Sequence, residues 1–189
     1  MIQIRKGVFE TNSSSSHSIV MMKNDKPTED KVDPDYRVDD DGVMDFWYEN
    51  DLCFGRSPFE LLTDWYGRLR YCIATYGGDD NKIKELEGIC RRRVDRFKCF
   101  KFKKDRWENK ENRGYVDHQS MGILDTALKR YNVSLEEFIF NDRFIVVIDG
   151  DEYNVFRDLI QSEMYNKDNV ANITSVFDDV DQADWKKEE

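Results

Sequence analysis

The sequence predicts an α+β protein: a single domain with a mixed, mainly antiparallel sheet and four to five helices. Short runs with strand character occur in irregular order among helical segments that carry clear capping signals. Hydrophobic residues make up 39% of the 189 residues, and an aromatic share of 13% is too high for a disordered chain. A chain of this length usually forms one domain, which we expect at residues 1–178, followed by an acidic tail at 179–189.

The strand predictions rest on short apolar or alternating runs. The clearest is Phe144–Ile148, which is continuous and rich in branched side chains, as in a buried strand. Residues 2–9 and 19–22 are expected to form a hairpin around a polar loop at 11–18. Further strands are predicted at 43–48, 99–103 and 170–177. We expect residues 2–9, 19–22, 43–48 and 144–148 to share one sheet.

The helix predictions rest on caps and apolar spacing. Ser57-Pro58-Phe59-Glu60 is a capping box with proline at the first helical position, and it predicts a helix that ends at Gly77-Gly78. A second helix is expected to begin near Asp80. Its apolar stripe consists of Ile83, Leu86, Cys90, Val94 and Phe97. Further helices are expected to begin at three polar residues: Ser120, Ser134 (a second capping box) and Asn154.

Charge is unevenly distributed along the chain, whose net charge is −10. Residues 25–51 hold 11 acidic and 3 basic residues, and residues 149–189 hold 12 acidic and 4 basic residues. Residues 91–113 instead hold 11 basic and 4 acidic residues. Separated charge of this kind produces extended fields that steer charged partners. The distribution therefore favours macromolecular partners.

Other features of the composition bear on compartment and cofactors. The four cysteines form no CxxC pair, so we expect buried thiols in a reducing compartment and no metal site. The longest apolar run falls far short of the roughly 20 residues of a membrane helix, and the N-terminus lacks the apolar stretch of a signal peptide. We expect a soluble cytoplasmic protein with no cofactor and no membrane partner.

The first polar motif is the serine run that ends in Ser16-His17-Ser18. Such a run can satisfy its own backbone and form a rigid loop, which is the favoured interpretation. Alternatively, Ser14 could act as a nucleophile, with His17 as its base.

The second polar motif is Asp117-His118-Gln119-Ser120. Asp117 could orient His118 as a general base, although a helix-capping segment is favoured. A third cluster, Asp149-Gly150-Asp151-Glu152, follows the best strand; it could hold Mg²⁺, but a tight turn is favoured. An active site requires these motifs to meet, with His17 and His118 within about 10 Å of each other.

Two charged groups are candidates for binding partners. The basic group could hold a phosphate backbone next to aromatic side chains, unless its phenylalanines face the core and its lysines face water. It consists of Arg91, Arg92, Arg93, Lys101, Lys103 and Trp107. The acidic group, Asp39, Asp40 and Asp41, could mimic a run of phosphates, or could be solvated surface.

Two segments carry a family resemblance. Arg5-Lys6-Gly7-Val8-Phe9-Glu10-Thr11-Asn12-Ser13-Ser14-Ser15-Ser16-His17-Ser18 and Tyr115-Val116-Asp117-His118-Gln119-Ser120 resemble little-characterised proteins of phages and mobile elements in Gram-positive bacteria. They cover about 20 of the 189 residues, and the resemblance transfers no catalytic residue.

Small acidic proteins of such origin include anti-CRISPR inhibitors. The resemblance therefore implies an inhibitor in the host bacterial cytoplasm that binds a host defence protein, such as a CRISPR effector nuclease. The main alternative is a hydrolase or transferase using His17, His118 and a serine of residues 13–16. A third is a phage structural or regulatory module.

Overall fold

A computed structural model of the protein describes residues 16–23, 31–34, 37–54, 59–103, 114–116, 122–149, 157–164 and 166–175. Its strands are β1 (Ser16–Met22), β2 (Val43–Trp47), β3 (Cys53–Phe54), β4 (Glu60–Leu62), β5 (Cys99–Lys103), β6 (Tyr115–Val116), β7 (Phe144–Asp149) and β8 (Val170–Ser175). Its helices are α1 (Tyr48–Asp51), α2 (Trp65–Tyr76), α3 (Asp80–Arg93), α4 (Gly122–Arg130), α5 (Leu135–Phe140) and α6 (Arg157–Met164). Five helices longer than a single turn and a mainly antiparallel sheet confirm the predicted α+β class.

The main sheet has four strands in the order β4-β7-β1-β8, and all neighbours are antiparallel. Every residue of β7 is buried, as its apolar run predicts. β1 has β7 on one side and β8 on the other, so residues 18–22 have no edge left for the hairpin predicted with residues 2–9. Residues 2–9 and 179–189 themselves lie outside the described residues. The prediction that the polar loop extends to residue 18 is also wrong, because β1 already begins at Ser16.

Two smaller sheets are parallel pairs, β2 with β5 and β3 with β6. The strand predicted at 43–48 therefore exists but does not join the main sheet. Its inner side chains, Met44 and Phe46, are fully buried, and the ring of Phe46 packs against those of Phe100 and Phe102. This aromatic packing holds β2 against β5 beneath α3.

Carboxylates cap the backbone edges of the β2–β5 pair. Asp39 Oδ1 accepts a hydrogen bond from the Val43 N–H at 2.8 Å, and Asp51 Oδ2 accepts one from the Trp47 N–H at 2.7 Å. On the β5 side, Glu87 Oε1 accepts from the Phe100 N–H at 3.0 Å. These three donors are no longer open to a further strand, which is a common way to protect sheet edges.

The helix α2 begins later than predicted. Asp64 caps it, accepting a hydrogen bond from the Gly67 N–H at 2.6 Å, and residues 60–62 form β4 instead of a first helical turn. β4 pairs with β7, which buries Leu62, so pairing with the central sheet overrides the capping signal at Ser57.

The other helices follow their predictions more closely. α3 begins at Asp80, and the side chain of Asp79 caps it. The capping box of α5 is confirmed, since Ser134 Oγ accepts from the Glu137 N–H at 3.1 Å. α4, α6 and β8 are present, while the predicted caps Ser120 and Asn154 lie outside the described residues.

The main sheet separates two apolar clusters. Ile19, Val146 and Ile148 point into the larger core, which also takes buried side chains from α2, α3, α4 and α5. Val20 and Val147 point the other way, into a smaller cluster covered by Ile160 of α6. This alternation decides which face each polar residue at the sheet end occupies.

One fully buried charge links α2 to the main sheet and α5. The Arg68 guanidinium donates through Nε to the Ile139 carbonyl at 2.9 Å, and through Nη1 to the carbonyls of Thr63 at 2.7 Å and Phe144 at 2.8 Å. Its Nη2 reaches Asp142 Oδ1 at 3.4 Å. One side chain thereby supplies donors to three backbone carbonyls in different parts of the chain.

Candidate functional site

Two of the three polar motifs meet at one end of the main sheet. The register of β1 and β7 pairs Ser16 with Asp149 and His17 with Ile148. Ser16 is the last residue of the serine run, and Asp149 is the first residue of the acidic cluster. The end of the serine run and the beginning of the acidic cluster, which are distant in sequence, are therefore paired across neighbouring strands.

His17 is fully buried at this end of the sheet and contacts Tyr71 of α2. Its Nδ1 atom lies 3.0 Å from the Tyr71 hydroxyl, within hydrogen-bond distance, and the two ring centroids are 5.7 Å apart. A buried imidazole needs such a partner. This contact is suited to positioning the Tyr71 hydroxyl, and a buried imidazole meets a substrate only where the covering residues move. The catalytic role predicted for His17 stays a prediction.

The third motif starts close to the same place. Phe54 of β3 pairs with Val116 of β6, and its ring packs edge-on against Tyr71 with centroids 5.4 Å apart. His118 follows Val116 by two residues, a span of at most about 7 Å. His118, Asp117 and Ser14 lie outside the described residues, so the predicted proximity of the two histidines stays a prediction.

Asp149 lies at the same sheet end as His17 but on the opposite face. It is 6% exposed, and its Oδ2 accepts a hydrogen bond from Gln161 Nε2 of α6 at 2.9 Å. Asp149 and His17 therefore do not form a dyad. The part of the chain that the structure describes contains no group of three or more His, Cys, Asp or Glu side chains placed to hold a metal ion.

The three predicted acidic binding residues form a tight turn before β2. Asp39 holds the turn: its N–H donates to the Val43 carbonyl and its own carbonyl accepts from the Gly42 N–H, both at 3.0 Å. Gly42 supplies the positive φ of 86° that the turn needs. Asp40 and Asp41 are exposed at the tip and have no ion-pair partner among the described residues.

The arginine triplet at the end of α3 forms intramolecular ion pairs. Arg91 pairs with Glu87 at 2.8 Å, and Arg92 and Arg93 both reach Glu136 of α5, at 2.6 and 3.4 Å. Burial raises the pKa of Glu136, but hydrogen bonds and charge from the two arginines outweigh burial and hold that pKa below its ordinary value. Arg92 and Arg93 thus join α3 to α5, and the predicted binding of nucleic acid by the triplet stays a prediction.

The fold brings some of the charges that are separated in the sequence next to each other. β2, from the acidic segment, pairs along its whole length with β5, from the basic segment. Lys103 pairs with Asp45 at 2.5 Å, and Lys31 pairs with Asp95 at 3.4 Å. Opposite charges therefore become neighbours where these strands pair, and the predicted extended fields stay a prediction.

The phenylalanines of β5 face inward, as the alternative interpretation of the basic group has it. Phe100 is buried, while Lys101 is exposed on the outer face. The aromatic side chain that does share this outer face is Trp47 of β2. The predicted partner Trp107 lies outside the described residues.

Tyr71, Gln161 and Trp47 are the polar or exposed residues that sequence reasoning missed. Tyr71 and Gln161 fall inside helical patterns, and no local signal shows which strand residue each will meet. The exposure of Trp47 could have been predicted, because alternation along β2 puts Asp45 and Trp47 on one face and Met44 and Phe46 on the other.

Comparison with known proteins gives no match: no family model, no curated protein and no solved structure is similar to this chain. Within the described residues, no helix is long and apolar enough to cross a membrane. The four cysteines form no disulfide. Cys72 and Cys90 are buried as expected, whereas Cys53 is exposed and Cys99 is partly exposed.

Proposed function

We propose that the end of the main sheet where β1 begins and β7 ends is the active site of a hydrolase or transferase. The observation that carries this proposal is the register that sets Ser16 opposite Asp149. This register brings the last serine of the run next to the first residue of the acidic cluster. β6, the strand before His118, pairs with β3, and Phe54 of β3 packs against Tyr71 at the same end of the sheet.

Burial divides the roles among the candidate residues. His17 is sealed against Tyr71 and positions it, which leaves His118 as the general base and Ser14 as the nucleophile. Asp117 orients the imidazole of His118 and stabilises its protonated form. Ser14 precedes Ser16 by two residues and His118 follows Val116 by two, so each lies within about 7 Å of a described strand end.

A cross-linking experiment tests this arrangement without knowledge of the substrate. Ser14→Cys and His118→Cys are combined in a chain whose accessible thiols, Cys53 and Cys99, are changed to serine. A bismaleimide with a span of about 10 Å should join the two new thiols, as one active site requires. In a matched control, Ser14→Cys is combined with Lys84→Cys on the exposed side of α3.

The chemistry is tested by labelling the full chain with a fluorophosphonate probe. We expect mass spectrometry to find the label on Ser14, and labelling to fall in Ser14→Ala and His118→Ala but not in the neighbouring control Ser15→Ala. Cross-linking no better than in the control pair would show that the motifs are separate, and the enzyme proposal would then fail.

A second candidate function is the inhibitor that the phage resemblance implies. The tightly bonded turn favours it, because Asp39 and Gly42 fix a tip from which Asp40 and Asp41 project without ion-pair partners among the described residues. Two preorganised carboxylates can enter a basic groove of a host nuclease at little entropic cost.

The inhibitor is tested with guide-loaded CRISPR effector nucleases and their target DNA. Excess protein should reduce target cleavage, and Asp40→Lys with Asp41→Lys should relieve inhibition at least about tenfold through slower association. Glu163→Lys with Asp168→Lys makes the same change in net charge on another exposed surface and serves as the control. Full cleavage at large excess across several effectors contradicts this function.

A further inference from the structure

The outer face of the β2–β5 pair carries an exposed tryptophan beside two lysines. The register places Asp45 opposite Lys101 and Trp47 opposite Lys103, and all four side chains lie on the face that points away from the core. Trp47 is 41% exposed, one of the three large apolar side chains left open among the described residues. The packing of the fold gives no reason for an open indole here.

The charges on this face are arranged around the indole ring. Lys103 Nζ pairs with Asp45 Oδ2 at 2.5 Å and lies 5.1 Å from the centre of the Trp47 ring. Asp45 therefore fixes Lys103 next to the ring while neutralising its charge. Lys101 is exposed and has no ion-pair partner among the described residues, so its ammonium group is the uncompensated charge of the face.

Strand addition by a peptide is the usual mode of binding at a small open sheet, and the backbone argues against it here. Asp39 and Asp51 occupy donors along the outer edge of β2, and Glu87 occupies a donor of β5. A partner must therefore bind through the side chains of the outer face, which offer a flat aromatic surface and a free cation.

We propose that this face binds single-stranded nucleic acid, with one base stacked on Trp47 and a backbone phosphate held by Lys101. An indole accepts any base, because every base has a π-face, and a neighbouring cation suits the phosphate that follows the base. Lys101 lies two residues from Lys103 on one strand, about 6.6 Å, so its ammonium group can hold the phosphate next to a base stacked on Trp47. The inference is independent of the sheet-end site and of the Asp40–Asp41 turn.

Binding should be weak and sensitive to salt, since the whole chain carries a charge of −10 and the face offers one uncompensated cation. For one contact to a single strand, the logarithm of the binding constant should fall with the logarithm of salt concentration with a slope of about −0.7. A basic channel would give a much steeper slope.

The experiment measures fluorescence anisotropy of labelled oligothymidylate and oligouridylate of about 15 nucleotides, titrated with the full chain at low salt. Trp47→Ala should weaken binding by about five- to 150-fold, the range expected for loss of one stacked base. Lys101→Gln should weaken binding and reduce the salt slope by about 0.7. Equal loss with DNA and RNA supports recognition of bases and phosphates, and loss with one of them alone supports the same face with a sugar preference.

Two variants and two competitors complete the test. Lys84→Gln removes another exposed lysine, and Leu159→Ala removes another exposed apolar side chain; both should bind as the parent chain does. Circular dichroism confirms that the Trp47 and Lys101 variants are folded. The inference is overturned if the parent chain leaves anisotropy unchanged, if Trp47→Ala and Lys101→Gln bind like the controls, or if a DNA duplex or polyglutamate competes as well as the single strand.

Discussion

Replacing Arg68 with methionine should destabilise the protein severely. The substitution keeps an unbranched apolar stem but removes the donors to the carbonyls of Thr63, Ile139 and Phe144. A hydrogen bond from a charged donor contributes about 1.5–3 kcal/mol, so three of them give roughly 4.5–9 kcal/mol. Part of this loss is offset because the methionine variant no longer buries a charge. We expect the free energy of unfolding to fall by about 3–5 kcal/mol.

The next arginine on the same helix provides the control. Arg70 is partly exposed, and its ion pairs with Glu60 and Asp51 are long, at 3.6 and 4.0 Å. Such pairs contribute little, so Arg70→Met should lower the free energy of unfolding by about 1 kcal/mol. The two variants differ by two positions and make the same chemical change, so the difference between them isolates the effect of burial and bonding.

Urea denaturation followed by circular dichroism measures both variants. Since a domain of this size is stable by about 5–15 kcal/mol, Arg68→Met should unfold at much lower urea concentration than Arg70→Met. Arg68→Lys keeps the charge but loses the planar fork, and it should fall between the parent and Arg68→Met. A loss for Arg68→Met no larger than for Arg70→Met would refute the account of Arg68 as the link between α2, α5 and β7.

Three further predictions concern stability. Gly42→Ala should lower the free energy of unfolding by more than about 1 kcal/mol, because φ is +86° and a Cβ would lie 2.6 Å from the Arg96 carbonyl oxygen. Gly88→Ala, in open space on α3, should raise the free energy of unfolding by about 0.5–1 kcal/mol. Denaturation midpoints that move in the same direction for both variants would contradict this. Tyr71→Phe and His17→Leu should show a coupling of about 1 kcal/mol in a double-mutant cycle, and additive losses would mean that their hydrogen bond contributes nothing. Glu136 has a lowered pKa in the folded state, so its ionised form stabilises the fold fully above the ordinary pKa of 4.5, and this stabilisation is lost as pH falls through the folded pKa. Glu136→Gln lacks this group. Its urea midpoint should therefore fall less between neutral and acid pH than that of the parent.

The sequence predicted the elements of the fold better than their partners. β7 and α5 were recognisable because their signals are local: a continuous apolar run, and a serine three residues before a glutamate. The start of α2 was predicted wrongly for the opposite reason. The capping box at Ser57 is a valid local signal, but pairing of residues 60–62 with β7 is a long-range gain that no local pattern contains.

The same limit applies to the polar residues. The motif singled out His17 as a candidate, but it did not predict the burial of this side chain, because the loop interpretation placed it outside the sheet. Its partner Tyr71 is 54 residues away and lies in an ordinary helical pattern. The meeting of Ser16 and Asp149 depends on strand order, which the sequence left open. Counting charge along the chain likewise does not show that Asp45 and Lys103 become neighbours when β2 and β5 pair.

The two proposed sites lie close together along the chain, and this constrains the substrate. Trp47 ends β2, α1 is a single helical turn, and Phe54 then contacts Tyr71, the partner of His17. Extended and helical rises place Trp47 less than about 20 Å from Phe54, a distance that a few nucleotides can span. A single strand stacked on Trp47 could thus reach the sheet end where the serine and acidic motifs start. If both sites are real, the hydrolase or transferase acts on nucleic acid, and Trp47→Ala should raise KM for an oligonucleotide while leaving kcat near that of the parent. An unchanged KM for the oligonucleotide would mean that the two sites serve different ligands.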